Sequence, residues 1–152
     1  MHIRVGQLAH EQVLALLGEH HQAMLSHSPV ESVHALDISG LKAADVTFFS
    51  MWDGENLAGV GALKQLDSYH GEIKSMRTSK LFLRQGVAHK ILAHLIAEAT
   101  DRGYQRLSLE TGSMAAFLPA KRLYQQFGFQ QCTPFADYKV DPYSSFMTLS
   151  LP

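Results

Sequence analysis

The sequence predicts one α/β domain in which helices cover a mixed β-sheet, and three observations lead there. The chain is 152 residues long, the length of a single compact domain, and no Pro/Gly/Ser linker divides it. Two stretches, Glu11–Ser26 and Gly86–Arg102, repeat apolar residues at helical spacing. Around them lie short apolar runs bounded by turn signals, so helices and strands interleave along the chain.

Taken in order, His2–Leu8 reads as a short edge strand. In Glu11–Ser26, Val13, Leu16, Leu17, His20, Met24 and Leu25 fall on one helical stripe. His27–Asp45 holds Ser28-Pro29 and Ser39-Gly40 and reads as irregular, with a short helix. Thr47–Trp52 is apolar and aromatic, Asp53-Gly54 is a hairpin-turn signal, and Leu57–Leu66 is the return strand. Ser68–Gly71 turns the chain again into the strand Glu72–Thr78. The helix Gly86–Arg102 carries Val87, Ala88, Ile91, Leu92, Leu95, Ile96 and Ala99 on one face, with Gly103 as its C-terminal glycine. Arg106–Glu110 alternates as a strand does. Ala116–Phe127 is a helix in which Pro119 is tolerable only in the first turn, placing the start near Phe117–Leu118. Gln130–Pro134 and Ser145–Leu151 finish the chain as strands around the Asp141-Pro142 turn.

Composition narrows the function. Net charge is −1 with histidines neutral and no Lys/Arg run appears, so neither nucleic acid nor an anionic membrane is an expected partner. No apolar run reaches the length of a membrane span, and MHIRVGQLAHEQ lacks a signal-peptide pattern. With Cys132 as the lone cysteine, a reducing, cytoplasmic setting is expected. Nine histidines raise the question of metal, but they form no HExxH and no zinc-type cluster. No metal is expected.

The chemistry begins at Leu83-Arg84-Gln85-Gly86-Val87-Ala88. Small residues at Gly86 and Ala88 let a ligand approach the backbone closely. The first helical N–H groups have no intrahelical partner, and the helix dipole adds positive charge, which together suit a pyrophosphate. Taken by itself the segment is a plain loop with one glycine before a helix; the rest of the chain gives it meaning.

That run resembles motif A of the GNAT superfamily of N-acetyltransferases, Gln/Arg-x-x-Gly-x-Gly/Ala. Gly86 and Ala88 match it, whereas Leu83 stands where the family prefers Gln or Arg, which removes one phosphate contact. Gly71-Glu72-Ile73-Lys74-Ser75-Met76-Arg77-Thr78 is similar to the family's fourth strand. Ala120-Lys121-Arg122-Leu123-Tyr124-Gln125-Gln126-Phe127-Gly128-Phe129 resembles its Ala-x-x-Leu-Tyr-x-x-x-Gly-Phe signature. Leu109–Phe129 and Pro134–Met147 resemble a bacterial subgroup of mostly unassigned substrate, and the likeness spans nearly all of residues 1–152.

The resemblance implies a single-domain GNAT fold: a mixed, mostly antiparallel sheet, splayed parallel fourth and fifth strands, and helices on both faces. It implies acetyl-CoA as co-substrate, with Met76, Arg77 and Thr78 lending backbone groups to its pantetheine arm. Arg84, Gln85, Gly86, Val87 and Ala88 would hold the pyrophosphate. Transfer to the amine of a small molecule by direct attack needs a base and an acid. Tyr124 is the candidate acid from its place beside the family's sulfur; helical spacing alone reads it as a core aromatic. Glu72 is the candidate base, equally readable as a hairpin-capping charge, with Glu110 the runner-up. Ser28, Glu31, His34, Tyr138 and Tyr143 are polar candidates for the acceptor pocket, each also readable as a solvated loop residue. Acetylation of a protein N-terminus or lysine, or acyl-CoA sensing without catalysis, are alternatives. The acceptor and the oligomeric state, a homodimer included, stay open.

Overall fold

A computed structural model describes the whole chain, residues 1–152. Seven strands form one sheet in the order β1-β2-β3-β4-β5-β7-β6. They are β1 His2–Val5, β2 Val46–Asp53, β3 Asn56–Gln65, β4 His70–Thr78, β5 Arg106–Gly112, β6 Gln130–Gln131 and β7 Ser144–Ser150. The helices are α1 Glu11–His27, α2 Ile38–Leu41, α3 Val87–Asp101 and α4 Leu118–Gln126. Only β4 and β5 pair in parallel; every other pairing is antiparallel.

Helices lie on both faces because each face of the sheet is apolar. On one face α1 and α2 bury Val13, Leu16 and Leu41 against Phe48, Trp52, Leu57 and Val60. On the other, Val87, Ile91, Leu92 and Leu95 of α3 pack with Tyr124 of α4 on Leu63, Ile73, Leu107 and Leu109. Each such aliphatic side chain contributes about 1.5–3 kcal/mol by leaving water.

Element bounds shift by a residue or two at several ends and by more at β1 and β6, whereas α4 starts where Pro119 requires. β1 stops at Val5 because Gly6 and Gln7 both take positive φ, turning the chain towards α1. α4 begins at Leu118 behind a 3₁₀ turn over Ala115–Phe117, which leaves Pro119 in the first turn. β6 is two residues rather than the five of Gln130–Pro134, and β7 inserts between it and β5.

The feature that positions the site lies in β4. Val60 pairs with Arg77 and Ala62 with Lys74, so Ser75 and Met76 together oppose Gly61. Ser75 takes φ 57°, making a bulge. The bulge reverses the alternation of side chains. Before it, Ile73 packs into the α3 core while Glu72 and Lys74 face the α1 side; after it, Met76 packs on the α3 core. Met76 therefore does not share a face with Glu72 and Lys74, as uninterrupted alternation would have it. The parallel pairing with β5 runs only from His70↔Arg106 to Ile73↔Leu109. Beyond that point the two strands part.

Candidate active site

The loop before α3 has the geometry of an anion cradle. Gly86 takes φ 77°, and a Cβ built there would meet nothing within 4 Å, so the glycine serves backbone conformation and leaves open space in front. Arg84, at φ 62°, bends the same loop. The N–H groups of Val87, Ala88 and His89 find no acceptor in the protein. Three free donors at the positive end of a 15-residue helix fit a pyrophosphate without side-chain help. Leu83 is 55% exposed beside this loop, so no side-chain donor stands at its position.

From Leu83 and Ala88 a cleft of about 620 Å³ runs past Ser75–Thr78 to Tyr124 and Glu110. It follows the gap between β4 and β5, where the β4 backbone lacks a partner strand. Tyr124 reaches it from the α3 side, its hydroxyl engaged in no side-chain hydrogen bond of the protein. Burial pushes its phenol upward from the usual tyrosine range, so it enters any reaction protonated. Glu110 projects from β5 on the opposite face from Leu107 and Leu109. Burial pushes its carboxyl up to about 7; Ser144 and then Lys74 oppose that shift, and Glu72 and Asp141 add to it. A carboxylate half-ionised near neutrality is suited to take a proton.

Glu72 stands elsewhere. It is 2% exposed and lines a second, polar cleft of about 770 Å³ beside His70, Lys64 and Asp137. Its Oε2 accepts from the Tyr138 hydroxyl at 2.6 Å and lies 3.3 Å from Lys74 Nζ. Lys74 also donates to Tyr138 Oη at 2.8 Å and to the His34 carbonyl at 3.0 Å. His34 and Tyr138 stack edge to face at 5.0 Å, and Ser32 Oγ donates to Asp141 at 2.6 Å. These contacts tie the segment after α1 to the segment before β7. They form a wall between the two clefts, which share His34 and Lys74.

A family model described as the acetyltransferase (GNAT) family matches residues 11–129. The chain belongs to the acetyltransferase (GNAT) family. It is 58% identical to the uncharacterized N-acetyltransferase YsnE of Bacillus subtilis, over 99% of this chain and 100% of that protein. It is 52% identical to the uncharacterized N-acetyltransferase YedL of Escherichia coli, over 98% of this chain and 94% of that one. Among solved structures, a GNAT acetyltransferase from Elizabethkingia anophelis with acetyl-CoA bound superposes with a TM-score of 0.68. At 17% identity, it covers 99% of this chain and 97% of its own.

In this GNAT chain the candidates for base and acceptor pocket divide between the two clefts. Glu31, Tyr138 and Glu72 line the polar cleft, Glu110 the one with Tyr124, and His34 both. Ser28 and Tyr143 line neither. Among the residues of the Tyr124 cleft that escape sequence reasoning are His20 and His27 of α1 and the side chain of Arg77. His20 fell on the apolar stripe of α1 and read as packing. Arg77 was visible only as backbone, because its side-chain direction depends on the bulge.

Proposed function

We propose that this chain transfers the acetyl group of acetyl-CoA to the amine of a small molecule by direct attack. The observation that carries the reading is a single cleft joining the free helix N-terminus at Ala88 to Tyr124 and Glu110. Residues Gly86–Ala88 would hold the pyrophosphate, and the unpaired β4 edge at Met76–Thr78 the pantetheine arm. Acetyl-CoA, when bound, supplies an acetyl group activated as a thioester. Glu110 takes the proton that an ammonium must lose before its nitrogen can attack. As the C–N bond forms and the C–S bond breaks, Tyr124 gives its proton to the departing sulfur, and the second proton that the nitrogen sheds on becoming an amide restores the phenol. Glu72, held by Lys74 and Tyr138, keeps the wall of the pocket in place.

Two observations favour this over the alternatives. The wall tied by Ser32–Asp141 and His34–Tyr138 encloses the acceptor side, which suits a small molecule better than a protein segment lying in an open groove. Tyr124 and a Glu110 poised near 7 on one cleft suit turnover better than passive sensing. The experiment is thiol release from acetyl-CoA across a panel of small amines, with mass spectrometry of the products. Acetylated amine in step with free thiol is the expected result. CoA binding with no thiol release from any amine would leave the sensor reading standing.

A further inference from the structure

Two of the three buried side-chain polar atoms without a hydrogen-bond partner, Arg77 Nε and His20 Nδ1, line the cleft that holds Tyr124 and Glu110. Arg77 also lacks an ionic partner: the chain's two ion pairs are Lys74–Glu72 and Arg102–Glu98. Half-buried Arg77 has its Nε withdrawn from water with no acceptor in the protein, and a guanidinium so placed on a cleft wall points to an anion that binds there.

We propose that Arg77 anchors a carboxylate of the acceptor, so that the acceptor is an amine that also bears a carboxylate, of the amino-acid type. This rests on the acetyl-transfer reading above and names the substrate class for the same site. The bulge at Ser75 places Met76 on the α3 side and turns Arg77 to the α1 side, where its charge reaches His20. The free N–H groups of α3 lie on the other face of the sheet, so the cofactor's phosphates are not the anion Arg77 is set to meet. Four charged side chains line the cleft: Lys74, Arg77, Lys80 and Glu110. Lys74 is already committed to Glu72, Tyr138 and the His34 carbonyl, and Lys80 is exposed at the mouth. Arg77 is the cation left for a ligand.

His20 supports the anchor without adding to its charge. Burial, then Arg77 and His21, lower its pKa to about 4, so near neutrality the ring is uncharged and offers one N–H. Glu110 projects on the same face from the other side of the splayed strands. An α-amino acid spanning that gap puts its amine towards Glu110 and its carboxylate towards Arg77. The nearby cation also disfavours the ammonium form, which helps deliver a neutral nucleophile. The polar cleft carries more carboxylates than lysines, but Tyr124 and Glu110 line the other cleft, so a cation held among those carboxylates would not face them.

The test uses acceptor pairs that differ only in the carboxylate: lysine against cadaverine, and leucine against leucinamide. Thiol release is measured for wild type, Arg77→Gln and Arg77→Lys, and the same four compounds are titrated calorimetrically into the CoA-loaded protein. Wild type should favour the carboxylate member by about tenfold or more in kcat/KM. Arg77→Gln should bring that ratio close to one, and Arg77→Lys should keep part of it. A wild-type preference for cadaverine or leucinamide overturns the anchor whether or not the variants fold, as does an unchanged ratio in Arg77→Gln. If no compound releases thiol yet the carboxylate members bind in an Arg77-dependent way, acetyl transfer to these amines fails and the anchor stands. If they neither react nor bind, the anchor is wrong.

Discussion

Tyr138 Oη and Lys74 Nζ both meet the same oxygen of Glu72, Oε2, at 2.6 and 3.3 Å. A carboxylate held by a phenol and an ammonium is fixed in place as part of the wall. Glu110 has no ion-pair partner, and burial lifts it to about 7. We therefore expect kcat/KM to rise with pH along a limb near 7 that Glu110→Gln removes, with a rate loss of about 10²-fold. Glu72→Gln should keep the limb. The reverse pattern in a pH–rate series of the two variants would return the base to Glu72.

Glu72 should instead matter for stability. Tyr138→Phe removes the shorter of its two contacts and leaves a buried carboxylate with Lys74 alone, a loss of about 1–3 kcal/mol. The urea midpoint should fall accordingly, and Tyr138→Phe should loosen the wall by freeing the segment before β7. A wild-type midpoint would mean that the network adds nothing to the fold.

Most of the architecture was legible because it rests on local patterns. The stripe Val87–Ala99, Gly103 behind it, and Pro119 in a first turn each follow from helix physics within one segment. What escaped was set by tertiary geometry. The bulge at Ser75 leaves no mark that a serine in a strand would reveal, yet it decides that Arg77 faces α1 and Met76 faces α3. Likewise, Glu72 and Glu110 look alike as strand carboxylates. Their separation into a bonded wall and a free cleft residue depends on Tyr138 and Lys74, which lie 66 and two positions from Glu72 in sequence.

The cradle gives a direct binding test. Gly86→Ala strains a backbone at φ 77° and should weaken CoA modestly, by about 1 kcal/mol at most. Gly86→Glu adds an anion to that strain in front of the free N–H groups, and CoA affinity should fall by about tenfold or more. Calorimetry on both folded variants checks this. Equal, wild-type affinities would move the pyrophosphate elsewhere.

Tyr124→Phe keeps the ring that packs 5.7 Å from Phe129 and removes only the hydroxyl. Because that hydroxyl is engaged in no side-chain hydrogen bond of the protein, stability should hardly change. If it protonates the departing sulfur, kcat should drop about 10²-fold while CoA affinity stays level. Single-turnover kinetics, which isolate the chemical step, give the decisive reading. An unchanged rate there would leave Tyr124 as a packing residue.

A base kept in a dry site should also cost the fold something, and pH reveals that cost. The ordinary Glu value is 4.5, and burial raises Glu110 in the folded chain to about 7. Between those values the folded state binds more protons than the unfolded one, so stability declines as pH climbs. The Glu110 contribution is fully present below about 4.5, is lost through about 7, and levels off above that. Glutamine stays neutral throughout and mimics the protonated acid. Glu110→Gln should therefore leave stability nearly unchanged at about pH 5 and raise it by about 1–3 kcal/mol at about pH 8. For a chain of this size that is a gain of several degrees in Tm. Ser144 and Lys74 both oppose the raised value, so Lys74→Met should widen the effect, whereas loss of the Glu72 charge should narrow it. Thermal denaturation of wild type and Glu110→Gln across pH 5–8 measures the difference. A gain that does not grow with pH would mean Glu110 is ionised at little cost in the folded chain, which would remove the physical ground for making it the base.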